Sequence, residues 1–218
     1  MLLPIFLTGL YYLLPSTLQH FRLIQFLPQI SAYVALGIWC ASNVHPLKRL
    51  GWSFRNLGFG IKWGGITGML LGAFNTIVIL WGVPGIGGDI EFLNETPHAH
   101  MPTWVMVPWG IFVIALGVEL NFRGFLLGRL AIVSCHWLRE YPTYALNAGR
   151  ILAVGVSALV FAFDPFMVTT FRHLHWIAVW DGLIWGWIVV RTNNLLTVIV
   201  AHAVEVMILY SCIKFALN

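Results

Sequence analysis

The sequence predicts an all-α fold, namely a polytopic membrane protein built as a bundle of about eight (seven to eight) transmembrane helices. Of the 218 residues, 59% are hydrophobic and only 9% are charged, whereas about 25% of the residues in ordinary soluble domains are charged. The mean hydropathy is +0.84. Because helices of about 20 residues with short connections fill this length, we expect a single integral membrane domain over residues 1–218.

The expected helices follow from apolar runs that charged or turn residues interrupt. The runs cover residues 2–14, 23–42, 58–83, 104–120, 121–138, 148–168, 176–192 and 194–215. The first run is short, but no basic residue precedes Arg22, so it lacks the charged start of a secretory signal and we interpret it as the first span. The fifth run contains Arg123 and Arg129, and Arg139 directly follows it, so this run could lie partly in the membrane interface instead of crossing.

Charge and aromatic content limit the classes of partner. The net charge is only +4, and the sequence lacks the basic surface interleaved with aromatic residues that binds single-stranded nucleic acid. The 11 tryptophans are typical of anchors at membrane interfaces and of packing within a bundle. We therefore expect the partners to be the lipid bilayer and a membrane-associated peptide or protein substrate, and no nucleic acid. The small size favours a bacterial inner (plasma) membrane protein.

Two ionisable residues stand together where an apolar run meets a basic segment. The stretch from Gly117 to Leu127 reads G-V-E-L-N-F-R-G-F-L-L, and Glu119 lies four residues before Arg123, so the two side chains are expected to share one face of a helix. Charged groups at membrane depth are costly unless they are paired or functional. The pair is therefore either a simple ion pair at the interface or part of a functional site.

Two histidines in the second half of the chain are further candidates. His202 lies deep in an apolar run, and Glu205 follows three residues later on the same helix face. This carboxylate could fix the imidazole ring and favour its protonated form, or the two residues could bind a metal. His175 closes the sequence F-R-H-L-H, with Phe171 four residues earlier. Taken alone, His175 is more simply interpreted as a residue of the membrane interface.

In this order along the chain, these residues resemble the motifs of the CAAX-protease and bacteriocin-processing family of intramembrane proteases, also called the Abi family. That family carries E-E-x-x-x-R, then F-x-x-x-H, then H-x-x-x-N or D. Glu119 and Arg123 match the first motif, including an F-R-G-F-L continuation. Phe171 to His175 matches the second motif, and His202 begins the third. The segment that starts G-L-I-W-G is also similar to the family's G-L-x-x-G segment.

The resemblance covers residues 104–215; two positions depart from the family's motifs, and the second motif has two possible registers. Val118 stands where the family's first glutamate is expected. Val206 stands where the third motif has Asn or Asp. The second motif also has an alternative register, S-A-L-V-F-A-F-D-P, in which Pro165 takes the histidine position.

The resemblance implies hydrolysis of a peptide bond within the membrane, by water that a glutamate and a histidine activate. On this basis Glu119 is the expected base, His175 the partner that positions the water, and His202 a stabiliser of the oxyanion. Arg123 and Glu205 are supporting residues. Glu205 could act as a donor when protonated, or as a second carboxylate in place of the missing glutamate.

The sequence leaves three alternatives open. Glu119, His175 and His202 would be the ligands if the proteolysis depended on zinc, although we expect no metal or other cofactor. Val118 and Val206 favour a catalytically inactive family member that acts as a scaffold or in self-immunity. A small proton-linked transporter would use buried ionisable groups as a relay, but the chain lacks the paired half-repeats typical of carriers.

Overall fold

The computed structural model describes residues 2–52, 56–137 and 145–217, and these residues form helices and no strand. The longer helices are α1 (Leu2–Tyr11), α2 (Arg22–Ala41), α3 (Leu57–Gly85), α4 (Thr103–Trp137), α5 (Ala145–Ala162), α6 (Pro165–Phe171), α7 (Ile177–Thr192) and α8 (Leu195–Leu217). Short helical turns cover Ser16–Gln19, Pro46–Arg49, Glu91–Glu95 and Arg172–Leu174. Arg139, near the end of the fifth predicted run, lies outside the described residues. The prediction of an all-α fold is confirmed.

Four helices are long and apolar enough to cross a membrane, namely α2, α3, α4 and α8. A fifth span results if α5 and α6 count as one, because this pair is bent by 52° at a short break. α1 has 10 residues and α7 has 16, which is fewer than the about 20 residues that a span needs. Among the described residues, the predicted count of about eight spans is therefore not confirmed. The apolar helices are nevertheless those of an integral membrane protein.

The largest difference from the expected helices is in α4. The sequence predicts separate spans over 104–120 and 121–138, but the structure has one continuous helix of 35 residues. No proline occurs between Ile111 and Trp137, so the charged residues interrupt the apolar pattern without breaking the backbone. The helix instead changes locally to π-helical hydrogen bonding over Leu120–Leu127. Such segments are rare and occur frequently at functional sites.

Polar side chains cap the starts of α6 and α8. Asp164 precedes α6, and its Oδ1 accepts a hydrogen bond from the backbone N–H of Phe166 at 3.0 Å, with Pro165 in the first turn. Asn194 precedes α8, and its Oδ1 accepts from the backbone N–H of Leu196 at 3.1 Å. Each cap satisfies a donor that the first turn of a helix leaves without an intrahelical partner. The caps therefore determine where the two helices begin.

The tertiary contacts group the chain into two compact units. One contains the described residues of 1–51 and 120–191, and the other contains those of 52–119 and 192–218. In the first unit, α1 packs on α2 and α5 packs on the second half of α4. In the second unit, α8 packs along α3 and against the first half of α4. A single domain over residues 1–218 stays a prediction.

A stripe of glycines allows α3 to approach α8 closely. Four glycines recur at every fourth residue of α3 and face α8: Gly60, Gly64, Gly68 and Gly72. A Cβ atom at Gly68 would lie 2.5 Å from the carbonyl oxygen of Ala201, closer than side chains tolerate. Small residues at such contacts bring helix backbones together in membranes. Because Ala201 precedes His202, this contact helps to position a candidate site residue.

Candidate active site

Glu119 and His202 form a buried hydrogen-bonded pair. Their side chains come from α4 and α8 of the same unit, and Nδ1 of His202 lies 2.8 Å from Oε1 of Glu119. Glu119 is fully buried and His202 is 7% exposed. With an ionised carboxylate as the acceptor, the imidazole would donate through Nδ1–H, and Nε2 would be the nitrogen that can act on another group. Two residues predicted from separate motifs are thus in direct contact.

Apolar packing along one face of α4 brings Glu119 to α8. Ile111 and Ala115 are buried in a cluster with Ala203 of α8. Helical residues four apart lie on the same face, so Glu119 follows Ala115 toward the same side. Ala203 directly follows His202 on α8. The apolar cluster and the pair of Glu119 and His202 therefore lie next to each other in the contact between α4 and α8.

A second buried polar pair lies three residues further along α8. Nδ2 of Asn75, on α3, donates a hydrogen bond to Oε1 of Glu205 at 2.6 Å. Asn75 is fully buried and Glu205 is 2% exposed. His202 and Glu205 stand at positions i and i+3, which are neighbours on a helix surface. Polar side chains from α3, α4 and α8 therefore lie together in the second unit.

Val206, where the family's third motif has Asn or Asp, belongs to the apolar packing. It packs against the buried cluster that contains Met106, Ile111 and Ala203. One residue earlier, Glu205 contacts α3 instead. In this turn of α8 the polar side chain is thus Glu205. Position 206, where the family has Asn or Asp, instead carries a valine that packs against apolar residues.

Arg123 lies in the first unit and is 1% exposed. The central carbon of its guanidinium group lies 4.4 Å from the ring centroid of Phe161 and 5.1 Å from that of Trp185. Contacts of a desolvated cation with aromatic rings contribute about 2 kcal/mol or more. Side chains of α5 and α7 therefore stabilise Arg123 within the π-helical segment of α4.

Two glycines of α7 make room for this arrangement. Gly182 and Gly186 belong to the G-L-I-W-G segment. A Cβ atom at Gly182 would lie 2.9 Å from Cα of Ala158 and 3.2 Å from a guanidinium nitrogen of Arg123, and one at Gly186 would lie 3.2 Å from the Leu127 side chain. The family-like segment thus has a packing role, because larger residues would push α7 away from α4 and α5.

His175 lies in the first unit, between α6 and α7, and is half-buried. Its Nδ1 lies 2.5 Å from the carbonyl oxygen of Arg172. Its ring contacts Phe163 edge to face, with 5.2 Å between the ring centroids. These local contacts orient the imidazole, and the role of His175 as the partner that positions water stays a prediction.

The alternative register of the second motif leads to a buried carboxyl group. Pro165 takes the histidine position in that register, and Asp164 precedes it. Asp164 is 3% exposed, and its Oδ1 accepts a hydrogen bond from Nε2 of Gln29, on α2, at 2.8 Å. Asp164, Gln29 and Asn121 line a cavity of about 20 Å³, a volume that suits one water molecule. The first register therefore ends at His175, whereas the alternative register ends at Pro165, beside the buried carboxyl group of Asp164. Only the first register contains a histidine.

Replacement of Asp164 by Ala is expected to lower the free energy of unfolding by about 1–3 kcal/mol. The variant loses both the cap of α6 and the acceptor for Gln29. Thermal unfolding of the detergent-solubilised protein measures the effect. Asp164→Asn is the matched control, because its amide oxygen can still accept both hydrogen bonds, and an equal loss in the two variants would contradict this account.

Asn75 is the site residue that was not predicted from the sequence. The sequence pattern indicates ionisable residues at membrane depth, and an amide carries no charge. A signal was nevertheless present, because Asn75 is a polar residue in an apolar run and stands three residues after Gly72. That spacing places it on the face of α3 that carries the glycine stripe, where a polar group needs a partner from the facing helix.

Comparison with known proteins bears on the second half of the chain. The model of the family described as type II CAAX prenyl endopeptidase Rce1-like matches residues 100–208, which is half of the 218 residues. This region contains Glu119, His175 and His202 and overlaps the predicted region 104–215. No curated protein and no solved structure matched the chain. The match confirms the predicted family, and the chain belongs to the Rce1-like family of type II CAAX prenyl endopeptidases.

Proposed function

We propose that the chain is an intramembrane endopeptidase, which hydrolyses a peptide bond of a membrane-delivered protein or peptide with water activated by Glu119 and His202. The observation that carries the proposal is the buried contact of 2.8 Å between Nδ1 of His202 and Oε1 of Glu119. Membership of a family described by its CAAX prenyl endopeptidase activity supports the same reaction class.

The pair supports a simple division of roles. Glu119 takes a proton from water while the water oxygen forms a bond to the carbonyl carbon of the substrate. His202, which contacts the carboxylate through Nδ1, offers Nε2–H to the oxyanion that develops. When the carbon–nitrogen bond breaks, the proton on Glu119 passes to the leaving nitrogen, which gives a carboxylic acid and an amine.

Arg123 and His175 have supporting roles in this proposal. Arg123 is held by Phe161 and Trp185, and it fixes the segment of α4 that directly follows Glu119. His175 positions the attacking water. A His175→Ala variant that cleaves at the wild-type rate would remove His175 from the mechanism without affecting the roles of Glu119 and His202.

Replacement of His202 by Ala is expected to reduce the cleavage rate by about 100-fold or more, because both the oxyanion donor and the partner of Glu119 are lost. The rate is measured with purified protein in liposomes that contain a farnesylated peptide ending in cysteine, two aliphatic residues and a variable residue. The same peptide without the lipid tests whether prenylation matters. His100→Ala is the matched control, since His100 is exposed in the connection before α4.

We propose that the hydrolysis needs no metal, because Glu119 supplies the base and His202 the donor to the oxyanion. The alternative with zinc on Glu119, His175 and His202 makes the opposite prediction for a chelator. Cleavage that persists in chelator supports activation of water by the Glu119 and His202 pair, and cleavage that stops and returns with added zinc supports the alternative.

The setting proposed for this activity is a bacterial inner membrane, with the substrate delivered by its own membrane anchor.

An inactive family member is the second candidate, and the departures at Val118 and Val206 favour it. The two candidates differ in one result, because an inactive scaffold would retain its biological activity in the His202→Ala variant.

A further inference from the structure

We propose that the last turn of α2 and the residues that pack on it form a binding site for an anionic phospholipid, with Arg49 and Arg129 as the cations that hold its phosphate group. All the residues of this site belong to the first unit. The inference goes beyond the hydrolysis proposed above and does not depend on it.

Trp39, in the last turn of α2, connects this helix to α4. Its ring contacts the ring of Phe125, with 5.7 Å between the ring centroids, and Phe125 is 5% exposed. The central carbon of the Arg129 guanidinium group lies 4.9 Å from the ring centroid of Trp39. A guanidinium group over an aromatic ring keeps the N–H donors along its edge for other partners. Trp39 therefore holds Arg129 beside the end of α2.

Two hydrogen bonds bring Arg49 to the same turn. Nη1 of Arg49 donates to Oδ1 of Asn43 at 2.6 Å, and Nδ2 of Asn43 donates to the carbonyl oxygen of Trp39 at 2.8 Å. The positive charges of Arg49 and Arg129 repel each other, which is unfavourable for the fold unless an anion lies near both. Arg49 is exposed and Arg129 is half-buried, so a ligand at the protein surface can reach both.

In the part of the chain that the structure describes, no carboxylate neutralises this pair of arginines. Residues 1–88 contain no Asp or Glu. The described acidic residues of the first unit are Asp164, which accepts a hydrogen bond from Gln29, and Asp181, which is buried in α7. Gln29 lies about 15 Å before Trp39 along α2, at about 1.5 Å per residue. Charge complementarity therefore favours an anionic ligand, and phosphate oxygens match the donor geometry of arginine.

An exposed apolar stripe on α2 provides a surface for the acyl chains of such a ligand. Leu27, Ile30, Val34 and Ile38 recur at spacings of three or four residues, which places them on one face of the helix, and all four are exposed. The stripe extends about 16 Å along the helix, about half of a hydrocarbon core of roughly 30 Å. Because it ends next to Trp39, a lipid with its phosphate at the two arginines can lay a chain along it. This stripe favours a phospholipid over a free phosphate ion.

The distribution of charge indicates the leaflet from which the lipid comes. The connection after α2 contains Lys48 and Arg49, whereas the connection after α3 contains Asp89, Glu91 and Glu95 and no Lys or Arg. Basic residues concentrate in the cytoplasmic connections of membrane proteins. The end of α2 is therefore expected at the cytoplasmic leaflet, where basic groups beside helix ends bind anionic headgroups.

Native mass spectrometry of the full chain in detergent tests the nature of the ligand. The wild-type protein is titrated with phosphatidylglycerol, with phosphatidylcholine or with inorganic phosphate. We expect phosphatidylglycerol to bind at least about 5-fold more tightly than phosphatidylcholine, since the choline cation cancels the charge of the phosphate. Absence of phosphatidylglycerol binding, equal affinity for the two lipids, or equally tight binding of inorganic phosphate would overturn the assignment to an anionic phospholipid.

Removal of the cations tests the position of the site. Arg49→Gln and Arg129→Gln are each expected to weaken the binding of phosphatidylglycerol about 5-fold, and the double variant about 25-fold. Arg22→Gln is the matched control, because Arg22 is exposed at the other end of α2, about 25 Å from Trp39 along the helix. Since Arg49 is exposed, Arg49→Gln keeps the test decisive even where Arg129→Gln does not fold. Equal affinities for Arg49→Gln and Arg22→Gln would overturn the role of the two arginines.

Thermal unfolding in detergent gives a second readout that needs no cleavage assay. A ligand that binds only the folded protein raises its unfolding temperature. We expect phosphatidylglycerol to raise the Tm of the wild type and of Arg22→Gln, and to have little effect on Arg49→Gln combined with Arg129→Gln. High salt should reduce the rise, because it screens exposed charges. The same rise in the double variant as in the wild type would contradict the proposed site.

Discussion

Replacement of Glu119 by Gln is expected to reduce peptide cleavage by at least about 100-fold, with insertion and folding intact. Gln has the shape of Glu, and its amide oxygen can accept the hydrogen bond from Nδ1–H of His202. An amide cannot take a proton from water, however. The loss should therefore appear in the initial rate per folded protein, measured in liposomes after size-exclusion chromatography.

Glu91→Gln is the matched control for this variant. It makes the same chemical change at an exposed position of the Glu91–Glu95 turn, so the cleavage rate should stay at the wild-type value. If Glu119→Gln cleaved as fast as Glu91→Gln, another group would be the base and the division of roles proposed here would be wrong.

Replacement of Gly68 by Ala is expected to destabilise the protein by about 1–3 kcal/mol and to lower cleavage as well. The added Cβ would lie 2.5 Å from the carbonyl oxygen of Ala201, so α3 and α8 have to separate. Because His202 follows Ala201, separation moves the imidazole relative to Glu119. Thermal unfolding in detergent and the cleavage rate are measured on the same preparations.

Gly65→Ala controls for the general effect of adding a methyl group to α3. A Cβ atom at Gly65 would have no atom within 4 Å, and Ala favours a helix over Gly. Its stability should equal or exceed that of the wild type. Equal unfolding temperatures for Gly68→Ala and Gly65→Ala would contradict the close contact between α3 and α8.

The fold class was predictable because composition determines it, whereas the number of spans was not. Apolar content and low charge require helices in a membrane, and the structure is helical throughout the described residues. The predicted boundary at residue 120 assumed that Glu119 and Arg123 end an apolar span. In the structure both are buried within α4, which shows that charges can be accommodated by packing and mark a site instead of a helix end.

The candidate site was predictable in part, through the order of its motifs. Glu119 and His202 were both identified from the sequence, but their contact depends on how Ala115 and Ala203 pack between α4 and α8. Asn75 was not identified, because its significance depends on a partner 130 positions away in the sequence. Pattern reasoning finds residues that are unusual in their own segment, and it misses neutral side chains that become important through a distant contact.

The most direct test of the account is mass spectrometry of the products formed in water enriched in oxygen-18. Wild-type protein in liposomes is given the farnesylated peptide and its unmodified counterpart. We expect one oxygen-18 atom in the new carboxyl group of the amino-terminal fragment, no label in the carboxy-terminal fragment, and no products with Glu119→Gln. Failure of the folded wild-type protein to cleave either peptide, or equal labelling with Glu119→Gln, would contradict the proposal that Glu119 and His202 activate water for peptide hydrolysis.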